Sequence, residues 1–256
     1  MNLLQNKIVF ITGASSGIGQ ACAFEFAKTG ARLILCARRI ERLNALALKL
    51  KKEFGTETKT VELDIRNYKD VEKKISDLDE DWNQIDILVN NAGLARGFDK
   101  LHEGDIEHWN EMIDTNIKGL LYITKTILPS MIKRKSGHII NIGSTAGHET
   151  YQKGNVYSAT KFAVKALTQS IRLDVLDSNV KVSSVDPGMV YTEFSAVRFS
   201  GDMEKAENVY KGIEPLAAED VAGAVIFCAT RPPNVNINEL ILTPAAQASS
   251  TQVYRK

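Results

Sequence analysis

A chain of 256 residues with 32 Lys and Arg against 31 Asp and Glu carries a formal net charge of +1, which leaves no cationic excess for a nucleic-acid surface. Its 44% hydrophobic and 25% charged residues match an ordinary folded domain and argue against disorder. No apolar run approaches the roughly 20 residues that span a bilayer, and the length allows one large domain or two small ones. Along the chain, Met1–Phe10 has one Lys and a short apolar run that leads into a glycine turn. That pattern predicts a first strand at Lys7–Thr12, not a signal peptide. Further strands are predicted at Arg32–Cys36, Thr58–Leu63, Asp86–Asn90, His138–Ile142, Val180–Val185 and Glu239–Leu242. Helical patterns fill Ile18–Thr29, Ile40–Phe54, Tyr68–Leu78, Ile106–Arg134, Val156–Leu176 and Glu219–Ala229. The strands are almost continuously apolar, as in Ile8-Val9-Phe10-Ile11, so both faces should be buried. Strand–helix alternation of this kind predicts an α/β fold with a parallel, doubly wound sheet. No linker or repeat divides it, so one domain over residues 1–256 is expected. From Pro187 to about Ile213 no strand period is visible, and residues 190–213 read as a lid over the site.

Cys22, Cys36 and Cys228 are odd in number and far apart, and His102, His108, His138 and His148 form no H-x-x-x-H pair. A disulfide framework and a protein-bound metal are therefore not expected, and a reducing cytoplasm is.

The first strand runs into Thr12-Gly13-Ala14-Ser15-Ser16-Gly17-Ile18-Gly19, with a helix following. Glycines at Gly13, Gly17 and Gly19 let the backbone approach a pyrophosphate, and the helix N-terminus offers free N–H groups. Ser15, Ser16 and Ile18 lie in the same turn. A dinucleotide with a free 2′-hydroxyl calls for a carboxylate at the end of the second strand, where this chain has Arg38 and Arg39. Two guanidiniums suit a 2′-phosphate, so NADP is the expected cofactor; solvated helix-start arginines are the plainer reading. Two readings also stand for Asp64, followed by Ile65: a cap for the next helix, or an acceptor for the adenine amino group. Asn90-Asn91-Ala92-Gly93 closes the fourth strand, its small residues leaving room for a cofactor beside Asn91.

The fifth strand ends at Ser144, and Tyr157-Ser158-Ala159-Thr160-Lys161 follows thirteen residues later. The i, i+4 spacing puts Tyr157 and Lys161 on one helix face. A phenol with a pKa near ~10 is a poor base at neutral pH, and a neighbouring ammonium would lower it. Ser144 would then hydrogen-bond the reacting oxygen. An ordinary surface Tyr and Lys would explain Y-x-x-x-K alone, but not its coincidence with the serine and the glycine loop.

In combination these motifs resemble the short-chain dehydrogenase/reductase family, over essentially the whole chain. The resemblance implies a single-domain Rossmann fold with seven parallel strands, helices on both faces, and a homo-oligomer, commonly a tetramer. It implies that Tyr157 is the acid–base group, that Lys161 binds ribose hydroxyls and lowers the tyrosine pKa, and that Ser144 orients the substrate. Asn116 matches the helical Asn that holds a relay water, and Pro187-Gly188, Val190 and Thr192 match the loop at the nicotinamide. More narrowly, Arg38–Leu43, Ile139–Gly147, Thr192–Phe199, Ala206–Tyr210 and Asn234–Asn238 resemble the NADP-dependent 3-hydroxy acid dehydrogenases. That subgroup oxidises serine, allo-threonine and related acids, or reduces malonic semialdehyde.

A 3-hydroxy acid needs a cation for its carboxylate within a few ångströms of the reacting carbon. Arg198 is the expected clamp, or else a lid-surface ion-pairing residue; Arg96 is the second choice. The loop Gly147–Lys153 is expected to border the substrate pocket with polar and charged side chains. Two other functions stay open: a carbonyl reductase for bulkier ketones or pterins, and a non-catalytic NADP(H) sensor. The C-terminal segment Ala245–Lys256 reads equally as an arm to a neighbouring subunit or as a loose end.

Overall fold

The apolar runs form one sheet of β1 (Ile8–Thr12), β2 (Arg32–Ala37), β3 (Thr58–Glu62), β4 (Ile87–Asn90), β5 (Gly137–Ile142), β6 (Val180–Pro187) and β7 (Glu239–Leu242). They lie in the order β3-β2-β1-β4-β5-β6-β7, every neighbouring pair parallel. This computed structural model describes residues 3–256, so the first two positions of the span Met1–Phe10 lie outside the described residues. The connecting helices are α1 (Gly17–Lys28), α2 (Ile40–Phe54), α3 (Tyr68–Ser76), α4 (Ile106–Ile113), α5 (Leu120–Arg134), α6 (Asn155–Asp174), α7 (Phe194–Arg198), α8 (Met203–Asn208) and α9 (Ala218–Ala229). Pleating sends Val9 and Ile11 into one core with α1, α2 and α9, and Ile8 and Phe10 into a second core with α3, α5 and α6. Burial on both sides is why β1, β2 and β4 show no polar alternation, whereas the edge strands β3 and β7 are partly exposed, contrary to the expectation of burial on both faces. Chain direction across the sheet switches between β1 and β4, which opens a crevice at their carboxyl ends.

Three expectations need correction. The run Ile106–Arg134 is not one regular helix: a π-helical turn, Asp114–Gly119, separates α4 from α5. The turn carries Asn116 inward, where its Oδ1 accepts from Leu94 N at 2.9 Å and its Nδ2 donates to Leu94 O at 2.8 Å and Thr160 Oγ1 at 3.0 Å. These bonds anchor the turn to the segment after β4 and to α6, and π-turns are frequent near functional sites. The stretch after Pro187 is not irregular throughout, since α7 and α8 form in it. They are tied by Ser195 Oγ and the Tyr210 hydroxyl at 2.7 Å, and that hydroxyl donates to Val190 O at 2.9 Å.

The C-terminal segment is not a loose end either. Arg255 Nη1 donates to Val209 O and Lys211 O, Lys256 N donates to Gly212 O, and Gln247 Oε1 accepts from Met189 N at 2.8 Å. It therefore straps residues 209–212 to the loop after β6. Among the described residues no helix is long and apolar enough to cross a membrane.

Candidate active site

A cleft of about 350 Å³ lies at the carboxyl ends of β1, β2, β4, β5 and β6. Its walls hold Gly13, Ser15, Ser16, Gly17, Ile18, Arg38, Arg39, Asp64, Ile65, Asn91, Ser144, Tyr157, Lys161, Pro187, Gly188, Val190 and Thr192. Gly19, Asn116 and Arg198 stand behind these walls. Gly19 has to be glycine because a Cβ there would collide with the carbonyl of Gly13. Gly17 takes a positive φ of +53°, and any side chain on it would press on Thr192 across the cleft. Asn91 fastens β4 to this turn: its Nδ2 donates to Thr12 O at 2.9 Å, and its backbone N donates to Thr12 Oγ1 at 3.0 Å.

At the far end, β5 delivers Ser144 and α6 delivers Tyr157 and Lys161. Ser144 Oγ accepts from Ala146 N at 3.1 Å, which fixes its short turn. Lys161 is 7% exposed, and its Nζ donates to Ile142 O at 3.0 Å. Burial pushes its pKa down to about 8, against the opposing carboxylate of Asp186. Burial also pushes the Tyr157 phenol above its ordinary value, partly offset by the charge of Arg198 and by the Ser144 hydroxyl. The Arg198 guanidinium therefore stands beside the phenol as a second cation, in addition to the Lys161 ammonium of the sequence reading. Lys161 Nζ sits 5.9 Å from the Tyr157 ring centre and the Arg198 guanidinium carbon 5.2 Å. The Asn116 side chain spends its oxygen and both N–H groups on Leu94 and Thr160, so it braces the turn and has no free donor for a water.

Of the two readings of Asp64, the helix cap falls. Asn67 caps α3, accepting from Lys69 N at 3.1 Å. The Asp64 carboxylate takes Arg66 Nε at 3.0 Å and Nη2 at 2.6 Å; burial raises its pKa, but these bonds hold it below its usual range. Arg39 Nη2 donates to Ser15 Oγ at 3.1 Å and Ser16 Oγ at 2.9 Å, while Arg38 forms no side-chain hydrogen bond among the described residues.

On the substrate side, Arg198 lies within 6 Å of the ring centres of Phe98, Tyr151, Tyr157 and Phe194. Its Nη2 donates to the Tyr151 hydroxyl, and its Nε is buried without a partner. It pairs with no carboxylate among the described residues, so the reading as a lid-surface ion pair falls. Arg96 is corrected as a clamp: Glu111 takes its Nε at 2.6 Å and Val197 O takes its Nη1 at 2.8 Å. The loop Gly147–Lys153 meets the expectation in part: Tyr151 and Lys153 stand at the Phe98–Arg198 wall, while His148 and Glu149 are engaged elsewhere. Glu149 accepts from Ser250 N and Thr251 Oγ1, and His148 faces Asp186 at 2.6 Å.

That last contact belongs to a cluster the sequence reading missed. Asp186, 1% exposed, also accepts from Ser184 Oγ; Lys165 Nζ donates to His148 Nδ1 at 2.8 Å and lies 3.5 Å from Glu239. Burial raises the Asp186 pKa against the pull of Ser184 and His148. His148, Asp186 and Glu239 have the ligand types of a metal site, but the Lys165 ammonium already supplies positive charge among them. Only Lys165, one helical turn beyond Lys161, hinted at the cluster; the other members are 36 or more positions from His148.

Residues 7–202 match the short chain dehydrogenase family. An NADP-dependent 3-hydroxy acid dehydrogenase of Salmonella typhi is 46% identical over 242 residues, covering 94% of this chain and 96% of that protein. A serine 3-dehydrogenase of Agrobacterium fabrum is 42% identical over 249 residues, 97% of this chain and 98% of the other. Among solved structures, the closed form of a serine dehydrogenase complexed with NADP+ superposes with a TM-score of 0.91 at 45% identity, covering 97% of this chain and all of that one. With the glycine turn, Ser144, Tyr157 and Lys161 gathered on one seven-stranded parallel sheet, the chain belongs to the short-chain dehydrogenase family.

Proposed function

We propose that this protein is an NADP-dependent dehydrogenase of small 3-hydroxy acids such as serine and allo-threonine. The observation that carries the substrate class is Arg198, a guanidinium without a carboxylate partner, set in an aromatic wall 5.2 Å from the Tyr157 ring. A carboxylate two carbons from the reacting hydroxyl would reach such a group while the hydroxyl faces Tyr157. The cleft fits the cofactor on its own geometry: the Gly17–Thr192 gap, the open start of α1 and the unengaged Arg38 suit a pyrophosphate and a 2′-phosphate. Asp64 suits the adenine end, and Pro187, Gly188, Val190 and Thr192 suit the nicotinamide end. Bound NADP supplies a hydride acceptor at nicotinamide C4.

The protein's own groups handle the proton. Ser144 holds the substrate hydroxyl, and Tyr157 accepts its proton as the hydride leaves the same carbon. Lys161 and Arg198 stabilise the phenolate that must form first, and Lys161 also reaches the ribose side of the cleft. Because the Asn116 amide is fully engaged, a relay water in this reading binds the backbone of the π-helical turn. Closure of residues 190–213 brings Arg198 over the substrate.

The quaternary and cellular readings belong to the same proposal. A homotetramer is supported by exposed apolar residues on and just after α6, with Leu173 at 74% and Leu176 at 73% exposure. A reducing cytoplasm is supported by three unpaired cysteines, Cys22, Cys36 and Cys228.

The test follows NADP reduction with L-serine, L-allo-threonine, 3-hydroxyisobutyrate, and uncharged alcohols both small and bulky. Turnover confined to the 3-hydroxy acids is expected; preference for the bulky alcohols would overturn the substrate class. NADP binding without turnover of any would instead favour a sensor.

A pH dependence follows from the Asp186 cluster. The groups facing Asp186 are Ser184 on β6, His148 after β5, Glu239 on β7, and Lys161 and Lys165 on α6. Asp186→Asn keeps the shape but removes the charge that opposes desolvation of Lys161. The Lys161 ammonium is then lost at lower pH than about 8, so the alkaline limb of kcat/KM should move to lower pH. An unmoved limb, with wild-type NADP affinity, would show that Asp186 does not act on Lys161.

A further inference from the structure

The most consequential contact outside the catalytic group joins the lid to the arginine assigned to the cofactor phosphate. Glu193 immediately precedes α7. Its Oε2 lies 3.1 Å from Arg39 Nη1, and its Oε1 lies 2.7 Å from Arg42 Nη1. With Ser15 on Nε and Nη2 and Ser16 on Nη2, most of the Arg39 N–H groups are engaged before any phosphate arrives. An anion already stands where a 2′-phosphate would be recognised.

We propose that Glu193 is an internal competitor for the 2′-phosphate site and a determinant of cofactor specificity, exchanging Arg39 for Arg42 alone when a phosphate binds. This inference rests on the NADP reading above. Three features support the exchange. Both ion pairs are about half exposed, with side-chain exposures of 44% for Arg39, 47% for Arg42 and 50% for Glu193, so neither is strong. A phosphate monoester carries about −1.5 to −2 charges against one for a carboxylate, which favours displacement. Arg42 keeps Glu193 paired after it lets go of Arg39.

The same residue links that event to the substrate end. Val197 N donates to Glu193 O at 3.0 Å, Phe194 and Val197 line the cleft, and α7 ends at Arg198. A shift of Glu193 therefore moves a five-residue helix whose other end is the carboxylate clamp. A dinucleotide lacking the 2′-phosphate would leave Glu193 on Arg39 and α7 in its starting position.

The test uses 2′,5′-ADP and 5′-AMP, which differ only in the 2′-phosphate and carry no nicotinamide. Their Kd values are measured by calorimetry on the wild-type chain and on Glu193→Gln, with amide hydrogen exchange followed over residues 194–199. Glu193→Gln should tighten 2′,5′-ADP by roughly two- to fivefold, the ratio an exposed ion pair supports, and leave 5′-AMP unchanged. In the wild type only 2′,5′-ADP should alter exchange over α7, and in Glu193→Gln neither ligand should. Arg42→Gln should weaken 2′,5′-ADP in the wild-type background and have no effect when combined with Glu193→Gln. Weaker 2′,5′-ADP binding in Glu193→Gln, or equal tightening of both ligands, would overturn the competitor role. Equal affinity of the wild type for the two ligands would overturn the NADP reading as well.

Discussion

Replacing Tyr157 with Phe is expected to lower kcat for a 3-hydroxy acid by roughly 10³-fold while NADP still binds, within the range of a positioned acid–base group. The ring stays in place because its packing does not need the hydroxyl: Phe194 lies edge-on at 5.6 Å, and both rings belong to the small core with Leu94, Ala95 and Met112. What is lost is the group placed to take the substrate proton, since the Ser144 hydroxyl is far harder to ionise than a phenol and Lys161 is turned to Ile142 O. The wild-type pH profile should carry the tyrosine on its acid limb, as activity requires the phenolate. Burial raises that pKa in the free chain, and Arg198 and Ser144 lower it, so the limb reports their balance. Tyr157→Phe retaining more than a tenth of wild-type kcat would mean that another group carries the proton. Loss of NADP binding in parallel would show a structural defect and leave the base unassigned.

How far the molecule could be read from its residues depended on the range of the interaction involved. The sheet was legible because a strand buried on both faces must be apolar along its length, and β1, β2 and β4 carried that mark locally, whereas the edge strands β3 and β7 are partly exposed and carried it weakly. The glycine turn and the Tyr157–Lys161 pair were legible for the same reason, being fixed by spacings of a few residues. The π-helical turn at Asp114–Gly119 was not, because side-chain bonds from Asn116 to Leu94 and Thr160 override a helical period that looks unbroken in sequence. Arg96 and Arg198 are both arginines in loop-like sequence. Only tertiary structure shows that Glu111 consumes one and that aromatic rings surround the other. The Asp186 cluster and the Glu193 bridge join residues 38 to 154 positions apart, and no local pattern marks either. Asp64 was half legible: its place at the end of β3 was right, but Asn67, three residues on, takes the cap.

Replacing Arg198 with Met should separate the two jobs proposed for this one side chain. As a carboxylate clamp its removal should cost serine roughly 10²- to 10³-fold in kcat/KM, the scale of a lost charge-assisted contact in a desolvated site. An uncharged secondary alcohol of similar size should lose far less, because it never used the charge. Methionine fills the space between Phe98, Tyr151 and Phe194 with an apolar chain, which limits collapse of the aromatic wall. The second job appears only with the uncharged alcohol. Without the guanidinium 5.2 Å from its ring, Tyr157 loses its principal lowering charge, so its pKa rises and the acid limb moves to higher pH. The sign distinguishes this from a lost binding contact, which would raise KM without moving the limb. Equal losses for serine and the alcohol, with the limb fixed, would remove Arg198 from both roles and with it the argument for a carboxylate-bearing substrate. A large loss confined to serine, with the limb fixed, would keep the clamp and return the activation of Tyr157 to Lys161 alone.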